Sequence, residues 1–341
     1  MKKLVLLSLV FAVTSTGFCQ RIKKDDFTIL KQKEDSLKEY AVNLIQGRSD
    51  LDRFNADSIF TRMLVRSLKV NNSFYYPFDS LQTISKLYAP DSSFRIFTWQ
   101  LIINENIVRQ HGAIQMRTAN GSVKLYPLID RSDITINLAD TFANNLGWIG
   151  AVYYKIIETK NGNHNYYTLL GYDENNIRSN RKIIEVLNFS NDEPVFGGRY
   201  FSFQDDSLSK SPVSRYIMEF KKDAGARLTY DEDLDMIVFE HLESESNEPK
   251  KKWTLIPDGD YEGFKWKNGK WVHIEKVFNQ VTPEGKEPVP NPVKDTQGNT
   301  LEENLQENRP GEVAPAEKTT RTRTDPKTKP KKVIAKKKVN G

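Results

Sequence analysis

One cysteine in 341 residues, Cys19, leaves no partner for an intramolecular disulfide. Histidines are scarce as well: His111, His164, His241 and His273, no two within five residues of each other, and no His-Glu-x-x-His. That spacing speaks against a local zinc site, and each histidine reads as structural or solvent-facing. Gly-x-Ser-x-Gly is missing, as are Walker and dinucleotide fingerprints, and Gly197-Gly198 is too short to cradle a phosphate. No catalytic residue, metal set or cofactor emerges from these patterns. Hydrophobic residues make up 38% of the chain. Typical domains hold about 45–50%, a count that includes glycine, so part of the chain is expected not to pack. No repeat of roughly 20–50 residues points to a propeller or solenoid.

Apolar runs are short too. The run at residues 4–13 falls below the roughly 20 residues that span a bilayer. It follows Met1-Lys2-Lys3 and precedes Thr14-Ser15-Thr16-Gly17-Phe18-Cys19, the order of a secretory signal peptide over 1–19. Gly17 and Cys19 suit a cut that leaves Gln20 first, and the mature chain then carries no thiol for disulfides, nucleophilic catalysis or metal ligation. The alternative is an outer-membrane lipoprotein lipidated at Cys19, where Phe18 holds a place that favours a small residue. The expectation is an exported protein of the periplasm or cell envelope, not transmembrane after cleavage.

The formal net charge of +5 conceals an asymmetry. Residues 318–341 contribute ten Lys/Arg and one acid, Asp325, and with Lys2 and Lys3 set aside residues 20–317 carry −6. An acidic body disfavours nucleic acid as its partner. The basic tail suits anionic lipid, lipopolysaccharide or wall polymer, with a solubilising terminus as the other reading.

Apolar residues at three- and four-residue steps predict helices over 25–70: Phe27, Leu30, Leu37, Ala41, Leu44 and Ile45, stopped by Gly47, then a second from about Asp57 to Lys69 capped by Asn55 or Asp57. A third short helix is predicted over 80–87. From 97 the period becomes two, as in Phe97, Trp99, Leu101 and Ile103, or Tyr216, Met218 and Phe220. Similar stretches occur near 112–118, 122–128, 149–158, 165–171, 182–189, 199–203, 236–242 and 252–256, about ten to twelve strands in all. Asn120-Gly121, Asn161-Gly162 and Asn268-Gly269 mark tight hairpins. In the last, Lys267 faces Lys270, Trp266 faces Trp271 and Phe264 faces His273. The predicted fold is α+β: a helical N-terminal segment (20–90) packed on a large antiparallel β domain (91–278), whether sheet, sandwich or open barrel. Residues 279–341, rich in Pro, Lys and Glu, are expected to be disordered.

Within the β region the most polar segment is 173–181. Asp173, Asn175, Arg178 and Arg181 combine acids, amides and guanidinium groups that suit an anionic or carbohydrate ligand at a sheet edge. The other reading is a connecting loop with internal Asx turns. Asp258-Gly-Asp260-Tyr-Glu262-Gly263 begins like a calcium loop, but its twelfth position is Gly269, and it reads as a turn into the last hairpin. Asp231 to Asp235 reads as a solvated loop.

Tyr76-Pro-Phe-Asp-Ser-Leu81, Tyr88-Ala-Pro-Asp-Ser-Ser-Phe-Arg-Ile-Phe-Thr-Trp99, Leu169-Leu-Gly-Tyr-Asp-Glu-Asn-Asn-Ile-Arg-Ser-Asn180 and Leu255-Ile-Pro-Asp-Gly-Asp-Tyr-Glu-Gly263 resemble a family of uncharacterised exported proteins from Bacteroidetes. The likeness covers 72–278. It implies the envelope of a Gram-negative bacterium and carries no activity. It also implies O-glycosylation at Asp-Ser before an apolar residue, here Ser36, Ser58, Ser80 and Ser207. The reading at this level is a non-catalytic envelope protein that binds a partner or glycan through its β domain. The competing one is an envelope glycan or peptide hydrolase with dispersed carboxylates. If the basic tail holds the protein at an anionic surface, deleting 318–341 releases it from envelope fractions at low salt. Unchanged partitioning counts against the tail.

Overall fold

The computed structural model describes residues 22–104, 106–206 and 210–278. The expected signal peptide with Cys19, the residue Ser207 and the expected disordered tail lie outside them. Two helices come first, α1 (Lys24–Gln46) and α2 (Asp50–Leu68). Sixteen strands follow: β1 (Ser85–Tyr88), β2 (Phe94–Asn104), β3 (Ile107–Met116), β4 (Lys124–Ile129), β5 (Ala143–Asn144), β6 (Val152–Asn161), β7 (His164–Asp173), β8 (Ser179–Ser190), β9 (Glu193–Phe196), β10 (Phe201–Phe203), β11 (Lys210–Val213), β12 (Arg215–Lys221), β13 (Leu228–Asp231), β14 (Met236–Ser244), β15 (Leu255–Lys267) and β16 (Lys270–Ile274).

The strands form three sheets. The first has the order β1-β2-β3-β4, the second β5-β9-β8-β7-β6 with β12 also paired to β8, and the third β11-β10-β16-β15-β14-β13. Strand pairing is antiparallel throughout, apart from β10 beside β16. Helices and sheets stack as four layers. Leu30, Leu37, Ala41 and Leu44 of α1, with Phe60 and Leu64 of α2, close over Phe97 and Trp99 of β2. Phe94 and Ile96, on the opposite face of β2, meet Leu169, Ile183 and Leu187 of the second sheet. Leu170, Ile184 and Val186, on that sheet's other face, meet Phe239, Phe264 and Trp271 of the third. The predicted α+β class is what is observed.

Gly47 ends α1 as expected, donating its N–H to the Asn43 carbonyl. The start of α2 differs: a reciprocal cap between Ser49 and Asp52 opens the helix at Asp50, not near Asp57. Asp57 is instead buried mid-helix. The helix predicted over 80–87 is a turn followed by β1, because pairing with β2 outweighs a short, ambiguous run. The segment predicted as a strand at 252–256 opens with a 3-10 turn, Lys252–Thr254. The expected strand number falls short because β1, β5, β9, β11 and β13 hold only two to four residues each, too few for periodicity to register. The last hairpin has the predicted register, Lys267 with Lys270, Trp266 with Trp271 and Phe264 with His273. Both turn residues, Asn268 and Gly269, have positive φ. The other two Asn-Gly pairs differ. Gly162-Asn163 forms the β6–β7 turn, and Asn120-Gly121 lies in a longer connection between β3 and β4.

Two buried arginines organise the layers. Arg95 donates to the Tyr76 carbonyl (2.6 Å), the Ser73 carbonyl (2.8 Å) and Gln115 Oε1 (2.8 Å), with its guanidinium 4.6 Å from the Phe97 ring centroid. Burial pushes its pKa down to about 10, and the Tyr88 phenol limits the shift. Arg215 pairs with Glu185, both fully buried, at 2.5 Å. Its remaining N–H groups hold the carbonyls of Leu138 and Thr141. Tyr153 donates to the same Glu185, and Trp148 Nε1 donates to Tyr153 (2.6 Å). Removing one partner of such a pair leaves a buried, uncompensated charge, so Arg215→Met is expected to cost about 3–5 kcal/mol in urea unfolding. Adding Glu185→Leu should recover most of that loss. A loss below about 1 kcal/mol for the single variant, the scale of an exposed ion pair, would show that the pair is dispensable.

Candidate functional site

The polar segment 173–181 is the connection between β7 and β8. The Asn175 N–H donates to Asp173 Oδ1 and the Arg178 N–H to Asn176 Oδ1, each at 2.8 Å, so Asx turns shape it. Asn175 Nδ2 donates to Ser179 Oγ (2.8 Å) and to Glu219 Oε1 (3.2 Å) on β12. Arg181 Nε donates to Glu219 Oε2 at 3.0 Å, and its Nη1 lies 3.7 Å from Asp173 Oδ2. Asp173 also accepts from Gln110 Nε2 of β3 at 2.9 Å. Burial raises the Asp173 carboxyl pKa, and the Asn175 N–H, Arg181 and Gln110 offset only part of that rise. Three of the four residues singled out by sequence therefore build the frame of the loop.

Arg178 is the one that reaches out. Its guanidinium carbon lies 5.5 Å from the ring centroid of Trp253, which sits in the 3-10 turn beside β12. Trp253 is 41% exposed and the adjacent Ile177 51%. Among the described residues no carboxylate pairs with Arg178, Lys250 or Lys252, whereas Lys251 is held by Glu248. The Lys222 N–H donates to the Arg178 carbonyl at 2.9 Å, fixing the hairpin to the end of β12. The result is a cation stacked on an indole at the surface, above a hydrogen-bonded frame. Such a pair offers an aromatic surface for a sugar or ring and planar N–H donors for a carboxylate or phosphate. Trp253, far along the chain, gave no signal of its own, because only the fold brings it beside Arg178.

The histidines have partners that spacing did not disclose. His111 Nδ1 lies 2.8 Å from Asp57 Oδ1, which also accepts from Trp99 Nε1 at 3.0 Å. The longest set is a chain: His273 Nδ1 lies 3.0 Å from Asp206 and its Nε2 2.8 Å from Glu262. His241 Nε2 lies 3.5 Å from the same Glu262 and its Nδ1 2.6 Å from Asp258. The aborted calcium motif is thus strand β15, with Asp258 and Glu262 spent on histidines. The hairpin register, which sets Glu262 two residues from the partner of His273, was the available clue. The 173–181 segment, His111 and Asp258 are each held by separate partners. Among the described residues no group of three His, Cys, Asp or Glu side chains is arranged to hold a metal.

A cleft of about 540 Å³ along β6 is lined by Lys155, Lys160 and Tyr230. Its lysines are neutralised by Glu232 and Glu158. No helix among the described residues is long and apolar enough to cross a membrane. Ser36, Ser58 and Ser80 are all exposed.

Burial pushes the His273 imidazole pKa down, but hydrogen bonds and charge from Glu262 and Asp206 more than offset this, leaving it raised. A raised pKa adds stability that is fully present below the unfolded value of about 6.5 and is lost as pH rises through the folded value. Urea unfolding should therefore show this contribution falling away as pH rises above about 6.5, and His273→Gln should flatten that limb. An unaltered pH slope in the variant would count against the coupling. Compared with protein-family models, curated proteins and solved structures, the chain finds no match in any of the three.

Proposed function

We propose that the chain is exported and serves in the cell envelope as a non-catalytic binding protein, taking an anionic glycan or similarly charged partner at the Arg178–Trp253 corner. The observation that carries this reading is the exposed guanidinium–indole stack, held above the hydrogen-bonded frame of Asp173, Asn175, Arg181 and Glu219. The frame fixes the loop before any ligand arrives, so little ordering entropy opposes binding. Export is supported by the basic, apolar and small-residue succession of residues 1–19. The Lys-rich stretch 318–341 suits the same anionic surroundings.

The hydrolase reading has one observation in its favour, the Asp206–His273–Glu262–His241–Asp258 chain, in which a partly exposed histidine connects to a buried one. Its acids and bases are engaged with each other, which favours a structural part.

Calorimetric titration with acidic envelope polysaccharide tests the binding reading. Arg178→Ala and Trp253→Ala should each weaken binding by about tenfold, the scale of a hot-spot contact, with circular dichroism unchanged. Saccharide binding that both variants retain at full strength would place the ligand elsewhere.

A further inference from the structure

Beneath the 173–181 hairpin, between the first and second sheets, lies a group of oxygens that protein donors do not satisfy. Gln100 of β2 and Gln110 of β3 are direct cross-strand partners. Side chains so placed start about 4.5–5.5 Å apart on one face of the sheet. Each gives its N–H to an acid of the neighbouring sheet: Gln110 Nε2 to Asp173 Oδ1 at 2.9 Å, Gln100 Nε2 to Glu174 Oε2 at 3.0 Å. Each is left with a buried Oε1 that no donor approaches. Gln110 is only 1% exposed. Two such orphans on one register pair are unusual, because a buried acceptor without a partner costs about 1–3 kcal/mol. Asp173 Oδ2 is also without a close donor, Arg181 standing at 3.7 Å.

The surrounding charge is negative. Asp130, Asp133, Asp173, Glu174 and Glu219 stand with three cations, Arg109, Arg181 and Lys222, so acids exceed cations by two. Asp130 is filled by backbone N–H groups of Gln110, Ser132 and Gly150 and adds charge without offering a free oxygen. We propose that Gln100 Oε1, Gln110 Oε1 and Asp173 Oδ2 ligate a calcium ion that ties the first sheet to the base of the β7–β8 hairpin. The donors are all hard oxygens, Gln carbonyls and a carboxylate being ordinary calcium ligands. Calcium takes six to eight oxygens, so water has to complete the shell around these three ligands. A divalent ion balances the charge. The site is separate from the sequence motif at 258–263.

The test is a calcium titration of the full-length protein previously stripped with EDTA, followed by calorimetry and thermal unfolding. Calcium at a hundredfold excess over its Kd should raise the Tm by roughly 5 °C or more. Magnesium, which demands a tighter octahedron, should do less. Asp173→Asn and Gln110→Ala should each weaken calcium binding at least tenfold. Gln100→Ala, nearer the surface, provides the same check where a core variant fails to fold. Arg178→Ala should bind calcium normally, which separates this site from the glycan-binding surface. Identical melting with EDTA and calcium would overturn the proposal, as would calcium binding that all three ligand variants retain. So would a crystal structure grown in calcium showing only water between Gln100 and Gln110.

Discussion

The middle strands of the second sheet are covered on both faces, and most of the architecture follows from that. With the first sheet on one side and the third on the other, a polar group buried between them must find a partner within protein. Glu185 meets this by pairing with Arg215 and accepting from Tyr153, which in turn accepts from Trp148. Other bonds run between layers: Trp271 Nε1 of the third sheet donates to Thr168 Oγ1 of the second, and the Tyr153 N–H to Thr98 Oγ1 of the first. Apolar contact alone would let stacked sheets slide over one another. Directional bonds at these points set the offset between layers and contribute specificity that hydrophobic burial cannot.

The same burial explains which strands were legible. β12 alternates cleanly because Tyr216, Met218 and Phe220 share the face toward the third sheet, with Arg215 and Glu219 on the other. β8 does not alternate: Ile183, Ile184, Val186 and Leu187 form a nearly continuous apolar run, as expected of a strand covered on both faces. The closing hairpin could be read to the residue because Asn268-Gly269 fixes both turn type and register. β5 and β9 were beyond reach. Two- and four-residue strands are made by their neighbours, with no local periodicity of their own.

For the candidate site, composition singled out a loop, and the structure shows how three of its four named members are held within it. Asp173, Asn175 and Arg181 were chosen for their polarity, yet their partners are Gln110 and Glu219, on strands far away in sequence. A polar residue's role depends on whether its hydrogen-bonding capacity is filled, and that is a property of tertiary structure. The histidines make the same point: isolated along the chain, three of the four have carboxylates within hydrogen-bond distance.

A distinction among these networks bears on function. Glu185 and Arg215 cancel in charge, are fully buried and leave no major valence open, so they act only to hold the fold. The histidine chain is partly exposed, but its acids and bases satisfy each other in succession. At the β7–β8 end the pattern differs. The interior carries surplus negative charge and two unfilled amide oxygens, while the rim carries an unpaired guanidinium on an open indole. Surplus charge and open valence are what a folded chain cannot stabilise alone, and both are best resolved by something that binds. Their coincidence at one end of the stacked sheets couples the inner site to the outer surface: an ion that fastened Asp173 would tie the first sheet to the hairpin that presents Arg178. Loss of the cation would then weaken the join between the first sheet and this corner, while the hydrogen bonds of Asn175, Arg181 and Glu219 still hold the loop's shape.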